Sequence, residues 1–155
     1  MMRTRTVPRV VPLVNHIAKP LVAAGLPMGP NGMLTVRGRT SGEPRSTPLA
    51  IIEVGGRRWI WSPWGDVNWV RNLRAAGEAT IQIHRRQLEV RAVELDPEQR
   101  VVFFRETFAP YARRIPFGGR FVRLFDGVDI NDPVAAATDR AVFELHAMDL
   151  PRRSA

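Results

Sequence analysis

Between Leu34 and Val93 the chain is broken into short runs of alternating polarity separated by tight turns, and this pattern constrains the fold more than any other. Leu34–Thr35–Val36 is a short alternating run. A loop of turn formers follows, Gly38–Arg39–Thr40–Ser41–Gly42, then a β-rich run over Thr47–Val54. Gly55–Gly56 predicts a tight turn into Trp59–Ile60–Trp61. Ala79, Ile81 and Ile83 alternate with Thr80, Gln82 and His84, and the turn His84–Gln87 leads into Leu88, Val90 and Ala92. The apolar phase then slips to Val93 and Leu95, which predicts a bulge. A last alternating run spans Ala141–Ala147. Hairpins, not helical crossovers, join most neighbouring strands. The expected fold class is therefore α+β, mainly β: a small antiparallel barrel with peripheral helices, as one domain over 1–155.

Helices are expected at four places. Val10, Leu13, Val14, Ile17, Leu21 and Val22 share one helical face, predicting an amphipathic helix over about 10–24. His16 and Lys19 interrupt it too early for a secretory signal. Packing on the barrel is its expected role; peripheral contact with a membrane surface is the alternative. Asp66 is placed to cap a helix with the stripe Trp69, Val70 and Leu73, and Gly77 stands at its end. Asp96–Pro97–Glu98–Gln99 reads as a capping box opening a third helix, in which Phe104, Phe108 and Tyr111 recur at helical spacing. Phe117, Phe121 and Phe125 repeat that spacing in a fourth. These phenylalanines alternate with arginines. They either cover one end of the barrel or form an aromatic lid over an acceptor pocket.

Several chemistries are excluded. There is no cysteine, hence no disulfide, thiolate catalysis or cysteine-held metal. His16, His84 and His146 have no metal-ligand spacing, and Ser41, Ser46 and Ser62 lie in no nucleophile elbow. The Rossmann and Walker glycine motifs are absent. No apolar run approaches the ~20 residues that span a bilayer. The net charge is +8 and Lys19 is the only lysine, so carboxylates and phosphates are favoured partners, through guanidinium forks.

Trp59, Trp61, Trp64 and Trp69, all four of the chain's tryptophans, fall between Leu34 and Gly77, with Arg37, Arg39, Arg45, Arg57, Arg58, Arg71 and Arg74. Flat apolar walls beside fixed cations suit a ligand that is planar at one end and anionic at the other. Core tryptophans with solvated arginines are the plainer alternative.

The ordered pair G-R-T-S-G-E-P-R-S-T-P-L and N-W-V-R-N-L-R-A-A-G, joined through S-P-W-G-D, resembles the signature of the deazaflavin-dependent nitroreductase family over about Leu34 to Val93. That resemblance implies a split β-barrel of the type shared with FMN-binding proteins, and coenzyme F420 as cofactor. It further implies that Arg39, Thr40 and Arg45 hold the phosphate and acidic tail, with Ser41 in the same loop. Thr47 and Pro48 match strand positions lining the deazaflavin, and Ser62 begins a segment beside the ring that includes Pro63 and Trp64. Asn68, Trp69 and Asn72 match helix positions bounding the cofactor. Many relatives carry lysine where Thr40 and Pro63 stand, and a longer glycine-rich segment between the positions of Ser62 and Trp69. Tail binding here would therefore lean on arginine.

The function implied is a cytoplasmic F420-dependent reductase, with no dedicated catalytic side chain and no metal, that passes a hydride to a small hydrophobic acceptor such as a quinone, enone or nitro compound. Nucleic acid is not an expected partner. The rival readings are a barrel binding FMN or another planar ligand, and a basic barrel binding single-stranded nucleic acid on its tryptophans.

Overall fold

A computed structural model of the protein describes residues 31–115 and 127–149. The helix expected over 10–24, and Phe117, Phe121 and Phe125, lie outside the described residues.

Seven strands form one antiparallel sheet: β1 (Gly32–Arg37), β2 (Pro44–Leu49), β3 (Ile52–Val54), β4 (Arg57–Trp61), β5 (Glu78–Ile83), β6 (Arg86–Glu94) and β7 (Val142–Ala147). Their order is β2-β1-β5-β6-β7-β4-β3. The two edge strands, β2 and β3, are joined by residues 50 and 51 alone, so the sheet has to curl until its edges meet. The expected single run Thr47–Val54 is thus two strands with a corner between them. Asn31 satisfies that corner: its Oδ1 accepts from the Ile51 N–H at 2.7 Å and its Nδ2 donates to the Ile51 carbonyl at 2.9 Å. A side chain completes the pairing that a neighbouring strand would otherwise supply. The result is the split β-barrel.

Alternation puts one set of side chains inside the curl. Leu34, Val36, Leu49, Ile60, Ala79, Ile81, Ile83, Val90, Phe143 and Leu145 form the interior core. One helix, α1 (Asn68–Ala76), closes an end of it with Val70 and Leu73, both fully buried, and with the half-buried Trp69 against Phe143. Gly77 ends α1 as expected, its N–H bonded to the Leu73 carbonyl at 2.8 Å. The start of α1 differs from expectation. Val67 is the cap residue and makes no side-chain bond. Asp66 is buried and turned to Arg74 at 2.7 Å, because a charge-assisted bond to a guanidinium outweighs an ordinary cap.

The outer face of β3, β4 and β7 carries a second core. Ile52, Trp59, Trp61 and Val142 are covered by Phe103, Phe104 and Phe108 of a π-helical turn (Phe103–Phe108) and by Ala112 of α3 (Ala109–Arg114), which continue the helix α2 (Pro97–Val102). The expected capping box opens α2: Asp96 accepts from the Gln99 N–H at 2.8 Å, and Gln99 accepts from the Asp96 N–H at 2.9 Å. A π turn stands where a regular helix was expected: Phe103, Phe104 and Phe108 are all buried in this core, and Tyr111, expected on the stripe of Phe104 and Phe108, is partly buried against it. A short helix, α4 (Pro133–Ala137), completes the cover. Arg140, 2% exposed, donates to the carbonyls of Ala135, Ala136 and Gly127 and pins α4 to the chain before it.

The bulge expected near Val93 is absent. Pairing of β6 with β7 runs unbroken from Val90↔Ala147 to Glu94↔Phe143. Val93 is 44% exposed on the outer face, and Leu95 joins the second core only after the strand has ended.

Candidate functional site

The loop between β1 and β2 has its shape dictated by its two glycines. Gly42 has φ 71°, the left-handed region that side chains resist. A Cβ on Gly38 would stand 2.8 Å from Ser41 Oγ and 3.2 Å from the Glu43 carbonyl oxygen. The loop closes on itself through Gly38 N–H to the Glu43 carbonyl (2.8 Å), Gly42 N–H to the Gly38 carbonyl (2.9 Å) and Glu43 N–H to Ser41 Oγ (3.2 Å). The amides of Thr40 and Ser41 meet no backbone acceptor among the described residues.

This loop and the last turn of α1 enclose an open pocket of about 440 Å³, lined by Arg37–Gly42 with Ala75 and Ala76. No acidic side chain is among these lining residues. The helix end contributes roughly half a negative charge, which opposes an anion; the full positive charges of Arg37 and Arg39 outweigh it. One contact ties the loop to α1. Asn72, 6% exposed, accepts at Oδ1 from both the Arg39 N–H (3.2 Å) and Arg39 Nη1 (2.7 Å).

The remaining sequence candidates divide by strand register. Arg45 and Thr47 stand opposite Val36 and Leu34, on the barrel-facing side of the edge strand, and the Arg45 side chain passes beside Gly38. Pro48 stands opposite Met33, on the other face from Thr47, and is buried. Ser62 is fully buried; its hydroxyl donates to the Gly65 carbonyl at 2.8 Å and its N–H to the Ala141 carbonyl at 2.9 Å. Its hydroxyl is therefore already used within the linker. Pro63 and Trp64 are half-buried in the same turn, Asn68 is exposed at the start of α1, and Trp69 packs into the interior core.

Thus Arg39, Thr40 and Ser41 stand beside the last turn of α1, with Arg45 next to Gly38 of the same loop and Asn72 reaching Arg39 from the middle of the helix, while Ser62, Pro63, Trp64 and Asn68 stand at its beginning. The nine residues of α1 make it about 13 Å long at 1.5 Å per residue, and Asn72 lies about 6 Å along it from Asn68.

The expected single cluster of indoles and guanidiniums does not form. Trp59 and Trp61 lie under the outer helices, Trp61 with Phe104 and Phe108 at centroid distances of 5.5 and 5.1 Å. Arg57 is committed to Glu144 by two bonds of 2.9 Å, and Arg58 to Glu53 at 2.9 Å. The Arg57 guanidinium holds the Glu144 carboxyl below the usual range for a glutamate. Arg74 bridges Asp66 (2.7 Å) and both oxygens of Glu94 (2.6 and 2.7 Å), so it binds the linker, α1 and β6 together. The described aromatic side chains of 103–112 cover the outer face, on the far side of the sheet from α1.

Arg37, named from sequence only among the cations of this stretch, lines the pocket, and so do Ala75 and Ala76, which sequence reasoning did not single out. The signal of the alanines was faint: two small residues following the arginines of α1, which leave room beside a neighbouring loop.

A curled antiparallel barrel with a cationic loop against its capping helix defines a class by its fold, the split β-barrels. Solved structures agree on the fold. A conserved hypothetical protein from Mycobacterium tuberculosis overlaps 80% of this chain and 82% of its own at a TM-score of 0.51 and 15% identity. A protein of unknown function from Agrobacterium tumefaciens overlaps 92% of this chain and 57% of its own, at 0.52 and 17%. Residues 13–115, about two thirds of the chain, match the family described as F420H(2)-dependent quinone reductase. The chain belongs to that family: it is an oxidoreductase, and its cofactor is F420.

Proposed function

We propose that the protein reduces a small hydrophobic acceptor, a quinone in the first instance and enones or nitro compounds by the same chemistry, and that F420 lies along α1. The observation carrying this reading is the pocket where Arg37, Arg39 and the Thr40–Ser41 backbone meet the last turn of α1. Guanidinium forks and free amides fit a phosphate and carboxylate tail, and no lining carboxylate opposes them. Arg39, Thr40, Ser41 and Arg45 would hold that end. Thr47, on the same face of β2, and the Ser62–Trp64 turn, Asn68 and Trp69 at the other end of α1 would border the ring. F420, when bound, supplies a two-electron hydride donor.

The chain's own contribution is then binding and orientation. The cationic loop fixes one end of a long cofactor, and the linker, locked by Ser62, Asp66 and Arg74, presents a rigid wall at the other. Rigid positioning at both ends restricts the ring to one approach towards an acceptor, the main source of rate when no acid–base group takes part. Pro63 and Trp64 would shield that approach from water.

The test is turnover. Reduced F420 mixed with catalytic enzyme and a soluble benzoquinone or naphthoquinone should return to its oxidised absorbance at a rate proportional to enzyme. No acceleration with quinones, enones or nitroarenes would refute this acceptor class.

A further inference from the structure

We propose that Asn72 is a positioning residue for the anion end of the site, acting through Arg39 rather than on the cofactor. The inference rests on the cofactor reading above. Asn72 and Arg39 are 33 positions apart, and a single oxygen of Asn72 receives both the main-chain and the guanidinium N–H of Arg39. The first bond sets where the loop stands relative to α1; the second sets which way the guanidinium faces. Since the loop's other hydrogen bonds are internal, this pair tethers it as a unit.

Three features make this a device for preorganisation. Asn72 is nearly buried while Arg39 is exposed, so the acceptor is fixed by packing and the flexible partner is the one restrained. The contact occupies Nη1, leaving the Nε–Nη2 edge of Arg39, the edge that grips an oxyanion in fork geometry, with no acceptor among the described residues. The acceptor is also neutral. A carboxylate at position 72 would orient the guanidinium equally well but would cancel the charge on which an anionic ligand depends. An amide orients Arg39 and leaves its charge available. Restraining a long side chain before binding removes an entropic cost that the complex would otherwise carry.

The experiment is a double-mutant cycle on F420 affinity, measured by calorimetric titration of the full chain. Asn72→Ala and Arg39→Ala should each raise Kd about tenfold or more, and the double variant should bind no more than about twofold more weakly than Arg39→Ala alone. Asn72→Asp adds a readout that a purely structural role would not move. It should melt at or above the wild-type temperature yet lose as much affinity as Arg39→Ala. Multiplying effects in the double variant would show that Asn72 meets the cofactor itself and would overturn the proposal, as would an unchanged Kd for Asn72→Ala. Should Asn72→Ala fail to fold, Asn72→Ser replaces it in the same cycle. A wild-type chain that does not bind F420 would defeat the cofactor reading, and this inference with it.

Discussion

Replacing Arg74 by leucine tests whether the ion network fixes the wall at the start of α1. Arg74 bonds Asp66 at 2.7 Å and Glu94 at 2.6 Å; the side chains are 32% (Arg74), 7% (Asp66) and 30% (Glu94) exposed. Its guanidinium is held charged well above its ordinary range, first by the hydrogen bond to Glu94, then against burial by the one to Asp66. The two carboxylates should respond differently. Glu94 can turn to solvent, and its loss is that of a surface pair, about 0.5 kcal/mol. Asp66 cannot, and is left as a buried charge without its partner. A fully buried orphan costs about 3–5 kcal/mol, and because Arg74 is a third exposed the expected figure is nearer ~2 kcal/mol. The sum, about 2–3 kcal/mol, corresponds to a fall in Tm of roughly 5–10 °C for a chain of this size. Urea unfolding of Arg74→Leu followed by circular dichroism measures it directly. Asp66→Asn in the same background removes the orphaned charge and should recover about half of the loss. An Arg74→Leu variant within about 0.5 kcal/mol of wild type, well below the orphan cost, would refute the reasoning, as would a second substitution that only adds damage.

Other consequences of the structure are open to direct measurement. Phe104→Ala should cost about 3–5 kcal/mol, because Phe104 is buried between Trp61, Phe103 and Phe108, yet leave F420 affinity within about twofold, since these rings lie outside the barrel. A large loss of affinity in a folded Phe104→Ala protein would restore these rings to the site. Arg45→Ala should weaken F420 binding by about 1–3 kcal/mol without changing the melting temperature, as expected for one charge-assisted contact made from an exposed side chain. Glu144 ionises more readily when folded because Arg57 holds it. Its contribution is therefore present above the unfolded glutamate pKa of about 4.3 and is lost as pH falls through the lower folded value. Wild type should accordingly exceed Glu144→Gln in stability at neutral pH, and the gap should close in acid; a gap independent of pH would show that the pair contributes nothing through its charge.

The barrel was legible because its strands are short, their alternation is clean and hairpins join three of the six neighbouring pairs. The errors arose where a distant group decided a local matter. Thr47–Val54 looks continuous because nothing nearby announces that the Asn31 side chain will complete a corner at Ile51. Asp66 has the identity of a cap, but Arg74, eight residues on, claims it. Trp59–Ile60–Trp61 alternates faithfully, yet alternation cannot say which face is the interior when both are covered. Ile60 proves to be inside and the two indoles outside, beneath phenylalanines more than 40 positions later. The same ambiguity dissolved the supposed cluster of indoles and arginines, since Arg57, Arg58 and Arg74 already have carboxylate partners. The G-R-T-S-G loop was recognisable from its glycines and from the family resemblance. That it leans on Asn72 and on the alanines ending α1 required the packing of α1 against β1.

The most direct test compares F420 with the same deazaflavin lacking its phosphate and glutamates. If the loop at Arg39–Ser41 holds the acidic end beside the last turn of α1, two or more charge-assisted bonds, each worth about 1.5–3 kcal/mol, separate the two ligands. The tailless compound should then bind at least about a hundredfold more weakly to wild type, since 1.4 kcal/mol is tenfold in Kd. That ratio should shrink about tenfold or more in Arg39→Ala, which lacks one of the contacts the tail would make. Equal affinities of wild type for the two compounds would contradict the account.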